Sequence, residues 1–149
     1  MSIKQQLYNQ CLEFVEQRLQ TIQNTIQDIQ KSLQSETKSS AGDKHETGRA
    51  MLQLEREKAG HQLAEIQKLK EVLAKIDVIK TSKAIGLGSL VYTTSFNYFI
   101  AVSAGEIIID NEKFFAISSS TPIAKLLLSK KVGNEVSFRS LTFAITKIE

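Results

Sequence analysis

Residues 12–33 read LEFVEQRLQTIQNTIQDIQKSL. Within them Leu12, Val15, Leu19, Ile22, Ile26, Ile29 and Leu33 fall at alternating intervals of three and four. That spacing sets apolar side chains along one seam of a helix. Sustained for three heptads, it specifies a coiled coil. Gln, Asn and Thr fill much of the remainder, and neither Gly nor Pro interrupts the run. Leu7 and Tyr8 carry the pattern backward, which predicts a helix of about 30 residues, about 45 Å long. A rod of that length cannot be buried in a chain of 149 residues and is expected to project.

A second helical run follows Glu46 and ends near Ile76. Ile66, Leu69, Leu73 and Ile76 keep the same spacing, and Leu63, Ala59, Leu54 and Met51 continue it less regularly. Lys58 and His61 fall near the seam, which predicts a stutter or a wetter stretch there. Facing the first run, this one closes a two-stranded antiparallel hairpin over residues 1–77, with its tip at 35–46.

The apolar rhythm stops at the tip, in Ser39-Ser-Ala-Gly-Asp-Lys-His-Glu-Thr47. Asp43 and Glu46 stand three residues apart in it. The pair fits a helix N-cap followed by a capping-box glutamate. It also puts two carboxylates at the end of the hairpin, and the two roles are compatible. With one Cys and two His in the chain, a zinc site is excluded, and His45 is expected to be a solvated side chain.

Composition changes after Asp77. Residues 78–86 form a linker, and 87–149 form a second domain. Leu90–Thr94 and Tyr98–Val102 are β-rich runs about Ser95-Phe96-Asn97, and Ile107–Ile109 and Phe114–Ile117 flank Asp110-Asn111-Glu112. Thr121-Pro122 starts a short helix, expected over Ile123–Lys131, that presents Ile123, Leu126, Leu127 and Leu128 before Gly133 ends it. Val136–Arg139 and Thr142–Ile148 make a final antiparallel pair. The fold class is α+β in two domains: a coiled-coil hairpin, then a mostly antiparallel sheet with one short helix packed on it.

Bulk properties narrow the function. Residues 1–78 carry eleven basic and eleven acidic side chains; residues 79–149 carry eight and five, which accounts for the net charge of +3. The excess is compatible with an acidic partner surface without demanding nucleic acid. Cys11 is alone, so no internal disulfide forms, as suits a reducing compartment. No apolar run approaches the ~20 residues of a membrane helix, and Lys4 to Gln10 interrupt any signal-like segment. A cytoplasmic protein with no membrane association is expected. No nucleophile elbow or phosphate-binding glycine loop is present, and Ser118-Ser119-Ser120 reads as strand-end and helix-entry chemistry.

The run Ile117-Ser-Ser-Ser-Thr-Pro-Ile-Ala-Lys-Leu-Leu-Leu-Ser-Lys-Lys-Val-Gly-Asn-Glu-Val136 resembles the C-terminal signature of the bacterial Gre transcript-cleavage factors (GreA/GreB). Gly42-Asp43-Lys44-His45-Glu46 resembles their tip motif, Gly-Asp-x-x-Glu. The order of hairpin, tip, linker and C-terminal domain is similar over nearly the whole chain. The resemblance implies an FKBP-like C-terminal domain that docks on RNA polymerase at its secondary channel, with Ser119, Ser120, Thr121 and Pro122 as partner-binding residues. It implies that Asp43 and Glu46 hold a Mg²⁺ shared with polymerase, beside the nascent RNA 3′ end, and so stimulate cleavage of backtracked RNA. The factor would then be a monomer and no enzyme by itself, binding no cofactor when free. Two alternatives stay open: a secondary-channel regulator or inhibitor without cleavage activity, and a coiled-coil interaction or chaperone module.

Overall fold

The computed structural model describes residues 1–38 and 43–149, except the side chains at positions 37, 38 and 43–46. Helices α1 (Ile3–Lys38) and α2 (Asp43–Ala74) precede strands β1 (Leu90–Thr93), β2 (Asn97–Ala101), β3 (Gly105–Ile109) and β4 (Glu112–Ser118). Helix α3 (Pro122–Leu127) and strands β5 (Glu135–Phe138) and β6 (Leu141–Ile148) complete the α+β chain. It divides into two compact units, Val15–Lys70 on one hand and Met1–Phe14 with Glu71–Glu149 on the other. The helical pattern stops near residue 77 as read from the sequence, yet the compact units part within the two helices.

In the helical unit Ile22, Ile26 and Ile29 of α1 are buried with Ala59 of α2, and Leu19, Leu33, Leu63 and Ile66 pack against them. The α1 seam is therefore the expected one. On α2 the seam differs from expectation before Ala59. Met51 and Leu54 are 61% and 65% exposed, while Leu52 and Arg56 are half-buried. Positions 52, 56, 59, 63 and 66 keep the intervals of four and three without a break. The stutter expected at Lys58 and His61 is absent, and both side chains are exposed. The expected phase holds near Ile66 and fails nearer the start of the helix. There a polar residue, Arg56, occupies the seam, and Met51, Leu52 and Leu54 crowd together with only Leu52 in phase. Arg49 adds a cross-link, donating from Nη1 to the Leu33 carbonyl at 3.3 Å.

The other unit is built on a six-stranded sheet in the order β3-β4-β2-β1-β6-β5. Every neighbouring pair is antiparallel except β2 and β4, which run parallel from Asn97↔Phe114 to Ala101↔Ser118. The chain leaves β2 for the edge strand β3 and turns back as β4 between them, so the sheet is mixed. Asp110 and Asn111 make that turn with φ of 52° and 64°, the left-handed pair of a two-residue hairpin. On one face Val91, Tyr98, Ile100, Val136, Phe143 and Ile145 form a core with Ile85 and with Ala124 and Leu127 of α3. Leu7 and Cys11 of α1 and Leu73 of α2 are also fully buried in this unit. Tyr8 Oη donates to the Leu73 carbonyl at 3.1 Å.

Helix α3 is shorter than expected, ending at Leu127 instead of Lys131. Leu128 turns to extended backbone and Ser129 takes φ of 70°. The reason is a competing pairing: Ser129 N–H donates to the Ile85 carbonyl at 2.8 Å, and Ile85 N–H to the Lys130 carbonyl at 2.9 Å. Leu126, expected to face the sheet, is 39% exposed.

Two glycines are expected to respond in opposite senses. A Cβ at Gly60 would approach only the guanidinium end of the Arg56 side chain, at 3.1 Å, so Gly60→Ala should stabilise the helical unit by up to about 1 kcal/mol in urea unfolding. Gly88 has φ of +86° and Ile76 Cγ2 3.0 Å from the Cβ position, so Gly88→Ala should destabilise by more than about 1 kcal/mol. Burial pushes the Cys11 thiol up from 9.0 to about 11. At pH 8 it is therefore expected to react with a disulfide reagent only as the unit opens, at a rate that rises with urea.

Candidate functional site

Two stretches carry the residues singled out from the sequence. The first is the turn that joins β4 to α3. Ser118, the last residue of β4, organises it: its N–H donates to Ser103 Oγ at 3.1 Å, and its own Oγ lies 2.8 Å from Ser120 Oγ. Ser120 N–H donates to Ser118 Oγ at 3.2 Å. Thr121 donates to the Ser118 carbonyl twice, from Oγ1 at 2.8 Å and from its N–H at 3.1 Å.

Thr121 then starts the helix. Its extended backbone (φ −70°, ψ 152°) is that of an N-cap, and Oγ1 accepts from Ala124 N–H at 3.3 Å. Pro122 follows at the first helical position, where a missing N–H costs nothing. One hydroxyl therefore closes the strand end and opens the helix. The turn is held by its own hydrogen bonds, so a partner would meet a shape that is already formed.

Ser119, Ser120 and Pro122 are exposed and Thr121 is half-buried. Among the described residues, the Ser119 hydroxyl has no protein partner. Leu126 lies one turn beyond Pro122 on α3 and shares its exposure, which gives the surface an apolar patch beside the hydroxyls. The structure thus brings the four expected residues together. It adds Ser118 and Ser103 as the groups that hold the turn, and Leu126 as a neighbour. Ser118 could have been found as the residue where the β4 alternation ends. Ser103 could not, since its role depends on the parallel pairing of β2 and β4.

The second stretch is the start of α2. The helical backbone includes both Asp43 and Glu46, one turn apart in the first turn of a 32-residue helix. Helix bounds shift by a residue between definitions, so an N-cap at Asp43 and a first helical residue there are the same place in the chain. The side chains of Asp43, His45 and Glu46 lie outside the described residues, as does the preceding stretch 39–42. Among the described residues, no three His, Cys, Asp or Glu side chains gather as a metal site, and no helix is long and apolar enough to cross a membrane.

Comparison with known proteins gives little that bears on this surface. No protein-family model matches the chain, and no curated protein matches it. A solved structure, "Structure of the transcription factor Gfh1", is similar at 20% identity over 91% of each chain, with a TM-score of 0.36. A likeness at that level leaves the functional assignment to rest on the chain's own residues.

Proposed function

We propose that this chain is a Gre-like elongation factor that binds bacterial RNA polymerase in the secondary channel and stimulates cleavage of backtracked RNA. The observation that carries this is the opening of α2 at Asp43, with Glu46 one turn on. It places two carboxylate residues at the start of one long arm of a two-helix hairpin. At 1.5 Å per residue the parts of α1 and α2 within the helical unit, residues 15–38 and 43–70, span about 36 and 42 Å, long enough to reach a recessed active site. The signature run 117–136 supports the docking half of the proposal, since its Ser119–Pro122 segment forms an internally bonded turn in which Ser119, Ser120 and Pro122 are exposed.

In this scheme Asp43 and Glu46 would hold Mg²⁺ jointly with polymerase. The donor set fits, because Mg²⁺ takes oxygen ligands and is commonly held by one or two carboxylates together with substrate phosphates. When bound it supplies charge neutralisation and a more acidic water at the phosphodiester. The chain's own share is to deliver and orient the two carboxylates. Activity then belongs to the assembled complex, and the free chain is not an enzyme.

A second function keeps polymerase as the partner and drops cleavage. Arg49 favours it. The Gre pattern continues past the tip glutamate as Asn-Ala-Glu-Tyr, whereas this chain has Thr47-Gly48-Arg49-Ala50. Arg49 thus puts a cation one turn beyond Glu46 and bonds to the Leu33 carbonyl of the facing helix. Arg49 stands where that pattern has a glutamate, a charge reversal near the tip that a channel-blocking regulator could tolerate.

A stalled, backtracked elongation complex separates the two. Asp43→Asn and Glu46→Gln should each lower stimulated cleavage at least about tenfold while binding is kept, and added Mg²⁺ should partly restore it. If the residues only start the helix, the amides should change little, because Asn caps about as well as Asp and Gln serves in a capping box. Full cleavage by the double amide variant at ordinary Mg²⁺ would end the metal proposal. Absence of cleavage by the unmodified chain, with binding intact, would favour the regulator.

Docking is tested separately. Ser120→Ala combined with Pro122→Ala should weaken polymerase binding about tenfold while circular dichroism stays native. Unchanged binding would move the interface off this turn.

A further inference from the structure

At the far end of α3 from the Thr121 cap lies a concavity of about 570 Å³ lined by Thr81, Ser82, Lys83, Lys131, Val132 and Ile148. No carboxylate lines it. Among the described residues neither Lys83 nor Lys131 is ion-paired. Val132, beside Lys131, is 57% exposed, while Ile148 joins the sheet core and forms an apolar floor. An aliphatic side chain left this exposed beside an unpaired lysine contributes little to packing.

The walls are built rather than incidental. Residues 81–83 are held from both sides. Upstream, the buried Lys4 of α1 donates from Nζ to the Lys80 carbonyl at 2.9 Å. Downstream, Ile85 makes its two backbone bonds to Ser129 and Lys130. The opposite wall is equally fixed. Lys131 N–H donates to Asn134 Oδ1 at 2.8 Å, Asn134 N–H to the Lys131 carbonyl at 3.0 Å, and Gly133 N–H to the Ile145 carbonyl at 2.8 Å.

We infer that this concavity is a docking site for an acidic protein segment that carries an aliphatic side chain. Carboxylates would meet Lys83 and Lys131, hydroxyls of Thr81 and Ser82 would supply hydrogen bonds, and the aliphatic group would cover Val132 and Ile148. Charge complementarity favours this occupant, because the whole net charge of +3 resides in residues 79–149. Nucleic acid is the poorer fit. The lining has two cations, no arginine and no aromatic ring, whereas single strands are gripped by stacking platforms and longer basic tracks.

The test uses the full chain, without polymerase, so its result is independent of transcript cleavage. Amide NMR spectra are followed while the capped peptide DELED is added, with KKLKK, a ten-residue oligothymidylate and inorganic phosphate as parallel probes. Shifts from DELED should concentrate at residues 81–83, 131, 132 and 148. The dissociation constant should rise about tenfold in K83E/K131E and rise by less in K83Q/K131Q, with V132S also weakened and native spectra elsewhere. Three results would each overturn the inference: no localised shift by DELED at several millimolar, tighter binding of oligothymidylate or phosphate at these residues, or affinity unchanged in both lysine variants.

Discussion

Two helices paired side by side can bury only one stripe each, and the rest of either surface meets water. Everything in the helical unit follows from that constraint. Ile22, Ile26 and Ile29 fill the α1 stripe, and Ala59, Leu63 and Ile66 answer from α2. Once the small Ala59 is set against them, the phase of α2 is determined by helical periodicity alone. Leu52 and Arg56 must then fall on the stripe, and Met51 and Leu54 must fall off it. The hydrophobic drive is therefore concentrated around Ile22–Ile29. It thins toward the start of α2, where Leu52 is only half-buried and an arginine-to-carbonyl bond helps to tie the arms.

The sheet unit obeys a different rule, since its central strand β2 is buried on both faces. Core residues on one face pack with α3, and Leu7, Cys11 and Leu73 lie buried elsewhere in the same unit. A lysine is drawn into this interior as well. Lys4 is almost wholly buried, and desolvation lowers its pKa while Glu149 and Asp77 pull it back up. Its bond to the Lys80 carbonyl supplies the partner that a buried ammonium needs. That carbonyl belongs to the connector after α2, so the start of the chain fixes a segment nearly eighty residues away.

Much of this was legible from residue order. The α1 seam, the six strands and the Thr121-Pro122 helix start all have local causes, namely periodicity, turn residues and capping. What was misread, or left unread, has non-local causes. The phase of α2 before Ala59 needed the facing helix, since Met51 and Leu54 look as much like seam residues as Leu52 until the opposite stripe is known. The end of α3 needed Ile85, which takes Ser129 and Lys130 out of the helix by backbone pairing. The parallel β2–β4 register needed the chain's path through β3, because each hairpin signal by itself reads antiparallel. Of the candidate site, the Ser119–Pro122 turn was visible as a motif, and its Ser118 and Ser103 supports were not.

The strand order carries a consequence for how the chain is made. β6, last in sequence, sits between β1 and β5 and pairs with both. Until it emerges from the ribosome, β5 has no neighbour and one edge of β1 stands open, with Val91 and Leu90 awaiting cover. The helical unit needs only contacts between neighbouring arms and can close as soon as α2 is synthesised. Biogenesis is therefore expected to be vectorial, with a coiled coil formed early and a sheet whose exposed edge persists until its final strand arrives. Translational pausing near residue 140 would prolong that exposure, and with it the window for aggregation or chaperone capture.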